Sequence, residues 1–219
     1  MPNSTAINFN LPTAAPGSLD VQWIHGSVSA KHNTDPDIQV HAYNEHTFIL
    51  RQNMAVHVEA PFMFLLFGNE RAILLDTGAT RSHTFFPLRQ TVDALISQWL
   101  THHPRSSYPL IVAHTHLHRD HFEADSQFTD RPNTTVVGKS LEETIAFYGF
   151  QNWPVDKRTF DLGDRTLNII ATPGHEAAEV SIYDPYTHIL FTGDIFYPGR
   201  LYVEDWDAFV ESVERMIAF

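Results

Sequence analysis

The sequence predicts a layered α/β protein in which sheets are covered by helices. Three observations lead there. Short, continuous apolar runs at residues 61–67 and 71–76 read as strands buried on both faces. Strand-type and helix-type segments alternate in the second half of the chain. The residues able to do chemistry fall directly after strand-type segments, behind Ala113, Ala171 and Thr192, where layered α/β folds place their sites. A length of 219 residues suits one domain, 1–219, with 43% hydrophobic and 18% charged residues as in ordinary globular chains.

Residues 1–18 are rich in Pro, Asn, Ser and Thr and read as an irregular arm. Residues 21–26, 38–43 and 47–51 have strand character. The aromatic run at 61–67 is followed by a turn at Asn69-Glu70, and RAILLD at 71–76 ends in Asp76-Thr77-Gly78. In residues 87–102, Leu88, Val92, Leu95, Ile96 and Trp99 recur at helical spacing, with Pro87 suited to the first turn and Pro104 just past the end. Residues 110–113 and 134–137 are strands by composition. Ser140 with Glu143 three residues on is a capping box, which starts a helix over 141–148. Residues 166–171, 180–183 and 189–192 read as strands. From Asp205 onward Phe209, Val213, Met216 and Ile217 mark one stripe of an amphipathic helix.

Composition excludes several classes. With no cysteine there is no disulfide framework and no thiolate metal ligand. A net charge of −12 argues against a nucleic-acid backbone as partner. No apolar run is long enough for a membrane span, and the first residues lack the basic start and apolar stretch of a secretory signal. The expectation is a cytoplasmic protein acting on a small molecule, away from membranes. Its oligomeric state is not legible.

The chemistry concentrates in His114-Thr115-His116-Leu117-His118-Arg119-Asp120-His121. Imidazoles two residues apart on a turn leaving a strand can converge on one cation, and Asp120 and His121 then project to a neighbouring position. Neutral imidazole and carboxylate suit zinc, or iron or manganese where oxygen ligands are more numerous. Thr172-Pro173-Gly174-His175 and Phe191-Thr192-Gly193-Asp194 each add one metal-type side chain at a strand end beside a glycine. A single such segment has an ordinary turn reading; their order after the histidine run makes them specific.

The series DTG, THLHRDH, TPGH, FTGD resembles the metallo-β-lactamase superfamily from about Pro61 onward. The resemblance implies an αββα sandwich of two mixed sheets flanked by helices, with metals at one edge of the sheets. It implies that His116, His118 and His175 hold a first ion, with His114 beside the site and not a ligand.

 Asp120 and His121 would hold a second ion, Asp194 would bridge the two, and Asp76 would support the ligand loop without being a ligand. The ions expected are zinc, two of them, with iron or manganese as alternatives.

The sequence departs from that family in three ways. Phe122-Glu123-Ala124-Asp125 stands where glycines usually follow the Asp-His pair. Asp194 stands where some β-lactamases carry cysteine, which disfavours that subclass. No histidine follows His188, although the family's last metal histidine lies beyond the bridging aspartate. The chain therefore reads as one whose C-terminal part is missing, with one ligand of the second ion absent. Tyr197, three residues past Asp194, resembles the tyrosine with which lactonase members donate a hydrogen bond to substrate.

The function these features imply is hydrolysis of a small ester, thioester or lactone by a metal-activated hydroxide, with Asp120 carrying protons. Glyoxalase II-like and lactonase-like branches are the models. An iron-dependent oxidoreductase of the persulfide dioxygenase type is the alternative, as is a metal-binding protein without activity. A nuclease is disfavoured by the acidic balance and by Arg119, which stands where the branch acting on transfer RNA commonly has glycine.

Overall fold

The computed structural model describes residues 6–219; the first five residues of the expected arm lie outside them. Ten strands form two sheets. The first holds β1 (Ile38–Asn44), β2 (Thr47–Gln52), β3 (Phe62–Phe67), β4 (Ala72–Leu75), β5 (Leu110–Ala113) and β6 (Thr134–Val136) in that spatial order. Its first three pairings are antiparallel and its last two parallel. The second holds β7 (Lys157–Asp161), β8 (Thr166–Ala171), β9 (Val180–Asp184) and β10 (Ile189–Phe191) in the order β10-β9-β8-β7. All three of its pairings are antiparallel, so only the first sheet is mixed.

Four helices accompany the sheets: α1 (Leu88–His102), α2 (Arg119–Phe122), α3 (Leu141–Tyr148) and α4 (Trp206–Ile217). The alternation of side chains along a strand divides the core in two. Met63, Leu65, Leu74 and Val112 face α1, packing on Leu88, Val92, Ile96 and Trp99. Leu66, Ile73, Leu75 and Ala113 face the second sheet, packing on Leu167, Ile169, Val180 and Ile182. With both faces of the first sheet covered, its central strands are apolar without interruption. Each such aliphatic side chain contributes about 1.5–3 kcal/mol by leaving water. Ser140 and Glu143 form the reciprocal capping box of α3, which ends at Gly149 in the left-handed region.

A buried ion pair fastens the two sheets. Arg165, at the β7–β8 turn and 1% exposed, reaches Asp184 at the end of β9 with Nη2–H to Oδ2 at 2.6 Å. The same guanidinium donates to the carbonyls of His46 and Phe67 in the first sheet's layer.

Three expectations need correction. Residues 21–26 are not a strand. Their backbone is held by side chains instead of a ladder: the amide of Ile24 donates to Gln39 Oε1, Gln39 Nε2 donates to the carbonyl of Gln22, and Arg51 Nε donates to the carbonyl of Ile24. Strand β7 was not anticipated, because KRTFD offers a single fully apolar side chain to an edge position. Ile217 does not belong to the buried stripe of α4 and is 81% exposed. The helix turns Ser212 inward, whose hydroxyl donates to the carbonyl of Pro173 at 2.6 Å.

Candidate metal centre

Strand direction gathers the site. Parallel β4 and β5 end at the same edge of the first sheet, and β8 and β10, each antiparallel to β9, end together in the second. The two edges are joined where the amide of Val180 donates to the carbonyl of Thr115 at 2.9 Å. Asp76 follows β4, the histidine run follows β5, His175 follows β8 and Asp194 follows β10. Gly193 lies at φ 55°, and a Cβ there would meet Thr115 Cβ at 2.8 Å and Glu179 Oε1 at 2.9 Å, so only glycine lets the two edges close this tightly.

Three ring nitrogens meet at one point. His118 Nδ1 lies 3.1 Å from His116 Nε2 and 2.9 Å from His175 Nε2. One proton can join His118 to one neighbour but leaves lone pairs opposed at the other. A cation resolves this: tetrahedral ligation at 2.0–2.1 Å per bond spaces nitrogens by about 3.3 Å. Two of the outward nitrogens are already engaged. His175 Nδ1 donates to the carbonyl of Tyr202 at 2.6 Å, which leaves the Nε2 lone pair facing inward. His116 Nδ1 lies 3.1 Å from Thr115 Oγ1. Burial, reinforced by the neighbouring imidazoles, holds the pKa of His116 well below the ordinary histidine value, so it is neutral and fit to ligate.

A second group adjoins the first. Asp194 places one carboxylate oxygen 3.4 Å from His121 Nε2 and the other 3.8 Å from His175 Nε2, between the two nitrogen sets. His121 Nε2 is also 3.4 Å from Asp120 Oδ2. His116, His121 and Asp194 together could hold an ion. Burial opposes charge on His121, but Asp76, Asp120 and Asp194 outweigh it and raise its pKa well above the ordinary value. The same position that attracts a proton here would attract a metal cation.

The supports are as specific as the ligand-type residues. Asp76 sits at φ 64° and accepts from His121 Nδ1 at 2.8 Å and from the amide of Thr115 at 2.8 Å. It thus orients one imidazole and the loop carrying another. Glu179, which the sequence reading missed, is fully buried and accepts from the amides of Asp194 and Ile195, both at 2.9 Å, fixing the backbone at Asp194. Its Oε2 has no partner among the described residues, and burial raises its pKa well above the usual carboxylate range. A glutamate beside an apolar valine gave no periodic signal to find it by.

His114 lies outside both groups. Its Nε2 is 2.8 Å from Asp125 Oδ1, and Asp125 also accepts from Thr77 and Lys139. The segment without glycines after His121 is therefore a short 3-10 turn, Glu123–Gln127, pinned by Asp125. Tyr197 lines the same cavity as Asp120, His121 and Asp194, but its hydroxyl donates to the carbonyl of Arg200 in its own loop. The cavity has a volume of about 540 Å³ and includes Phe62, Phe64, Leu190 and Phe196. Among the described residues, no helix is long and apolar enough to cross a membrane.

Comparison with known proteins gives matches of family and of fold. The family described as the metallo-beta-lactamase superfamily matches residues 58–217. A hydroxyacylglutathione hydrolase of Mesorhizobium japonicum is 31% identical over 113 residues, 50% of this chain and 44% of the relative. One from Brucella anthropi is 33% identical over 107 residues, 48% of this chain and 41% of the relative. The matched part thus spans less than half the length of these relatives. In structure, a metallo-beta-lactamase from Pontibacter korlensis aligns with TM-score 0.56 and 19% identity, over 83% of this chain and 85% of that one. The DIM-1 metallo-beta-lactamase aligns with TM-score 0.58 and 14% identity, over 84% of each chain. At those identities the likeness is one of fold.

Proposed function

Because the chain belongs to the metallo-β-lactamase superfamily, we propose that it is a metal-dependent hydrolase cleaving a small ester, thioester or lactone. The observation that carries this reading is the convergence of His116, His118 and His175 on one point, with Asp120, His121 and Asp194 beside it. In it, His116, His118 and His175 would hold a first ion, Asp120 and His121 would hold a second, and Asp194 would serve both. Zinc suits the nitrogen-rich set, and iron or manganese the carboxylate-bearing one. Bound divalent ions supply a water acidified to near-neutral pKa and polarisation of the scissile carbonyl.

The chain's own residues do the rest. Asp120 is half-buried at the cavity floor. Burial raises its pKa, but the His121 imidazole outweighs that and holds it below the usual carboxylate value. It stays ionised, accepts a proton from the attacking water and returns it to the leaving group. Asp76 and Glu179 keep His121 and Asp194 in place. The aromatic lining excludes water from the acyl group. Tyr197 turns its hydroxyl from Arg200 to the substrate oxygen. The relatives' names make hydroxyacyl-glutathione conjugates the first substrates to try.

A panel of thioesters, lactones and esters, assayed with metal content measured in parallel, tests the reading. Hydrolysis that disappears on chelation and returns with zinc is expected. Hydrolysis undiminished in metal-stripped protein would overturn it, and oxygen uptake with a persulfide substrate would favour the iron-dependent oxidoreductase.

A further inference from the structure

The catalytic cavity contains one cation that the fold does not neutralise. Arg51, near the end of β2, lines the cavity together with Asp120, His121 and Asp194. Its Nε–H donates to the carbonyl of Ile24 at 3.1 Å, and its guanidinium lies over the Phe62 ring at 4.5 Å. These two contacts fix the plane of the group and leave both Nη atoms uncommitted among the described residues. Arg89, Arg119, Arg131 and Arg165 all have a carboxylate in ion-pair contact. Among the described residues Arg51 has none, in a chain of net charge −12. Glu59 lines the cavity too, yet makes no ion pair with it.

An arginine held flat with a free edge matches the geometry of an oxyanion, which it can bind through two parallel hydrogen bonds. Partial burial strengthens that preference, since the charge has lost water without gaining a counter-charge. Burial lowers the pKa of Arg51 accordingly. A cavity of about 540 Å³ is large enough for a substrate that reaches from the metal edge to this group.

We propose that Arg51 is a specificity residue that receives an oxyanion, carboxylate or phosphate, on the non-reacting end of the substrate. This rests on the hydrolytic reading of the metal edge and narrows it to anionic esters or thioesters.

Two measurements separate the proposal from that reading. In the first, the metal-loaded protein is titrated calorimetrically with succinate, with inorganic phosphate and with neutral succinamide. The ions at the metal edge are common to all variants, so a difference between variants isolates Arg51. Arg51→Gln is expected to weaken whichever oxyanion binds by tenfold or more, Arg51→Glu by more still and Arg51→Lys by less, with succinamide indifferent. The arm that responds tells carboxylate from phosphate. Equal affinities across the variants, or no anion binding by the wild type, overturn the proposal. In the second, matched thioesters with neutral and ω-carboxylated acyl chains are hydrolysed. The wild type is expected to favour the anionic member in kcat/KM, and Arg51→Glu to reverse that order, a result that unfolding cannot mimic. Hydrolysis of both without preference overturns the role of Arg51. Hydrolysis of neither overturns the hydrolase reading, while the titrations still decide on Arg51.

Discussion

The Arg165–Asp184 pair and the histidine edge both take polar groups out of water between the two sheets, and they do so with opposite completeness. Every N–H of Arg165 has an acceptor: Asp184 takes two, Thr47 one, and the carbonyls of His46 and Phe67 one each. Asp184 is further served by the Thr187 hydroxyl and the Tyr186 amide. At the other edge, three ring nitrogens face one another without enough protons to pair them, and Glu179 Oε2 is unpartnered. A buried polar group left unpaired costs free energy. The first region has no capacity left and serves the fold. The second keeps capacity open, which a cation would complete.

The difference can be broken or sharpened by substitution. The largest effect is expected from His118→Ala or Asp120→Asn. Either should abolish measurable hydrolysis, while the metal-free protein keeps its stability to within about 1 kcal/mol. Unfolding of these variants without metal would put the histidine edge in the same class as Arg165. Arg165→Leu comes next. It leaves Asp184 buried without a counter-charge and should cost about 3–5 kcal/mol in denaturant unfolding; a loss below about 1 kcal/mol would deny the pair its structural role. Asp76→Asn should weaken metal affinity by about 10–100-fold, read by competition with a chelator, because His121 loses the acceptor that orients it. An unchanged affinity would mean that the loop orients itself.

The smallest effect concerns pH. Burial pushes His46 down to about 4 from an ordinary 6.5, with Trp99 donating to its Nδ1. Its folded value is depressed, so its contribution to stability is complete above about pH 6.5 and is lost as pH falls toward 4. Thermal melts between pH 7 and 4.5 should show a falling Tm, and His46→Gln should flatten the slope. A slope unaltered by the substitution would assign the acid sensitivity to other groups.

Much of this was legible in the sequence, and the exceptions share a cause. The α1 stripe, the capping box at Ser140 and the apolar runs of β3 to β5 are local patterns, and their elements formed over nearly the expected residues. The ligand-type residues were legible because three short motifs carry them. What was missed depends on partners distant in sequence. Residues 21–26 look like a strand but bond to Gln39 and Arg51. Glu179 matters only because strand β10 delivers the amides of residues 194 and 195 to it. Arg51 is set apart by lining the cavity without a carboxylate partner among the described residues, which no window along the chain displays.

One feature of α4 bears on how the molecule is made. Gly174, at φ 146°, has the backbone of Phe209 where a side chain would otherwise sit, and its carbonyl accepts from the amides of Glu204 and Asp205. Ser212 and Arg215 bond to the carbonyls of Pro173 and Ala171, and the carbonyl of Tyr202 accepts a hydrogen bond from His175 Nδ1. The loop that presents His175 is thus clasped by residues translated 27 to 44 positions after their partners in it. On the ribosome, the two sheets can pair while that clasp is still unsynthesised. The third imidazole takes its final orientation only once α4 has docked, so a three-histidine metal centre would assemble after α4 and not before it.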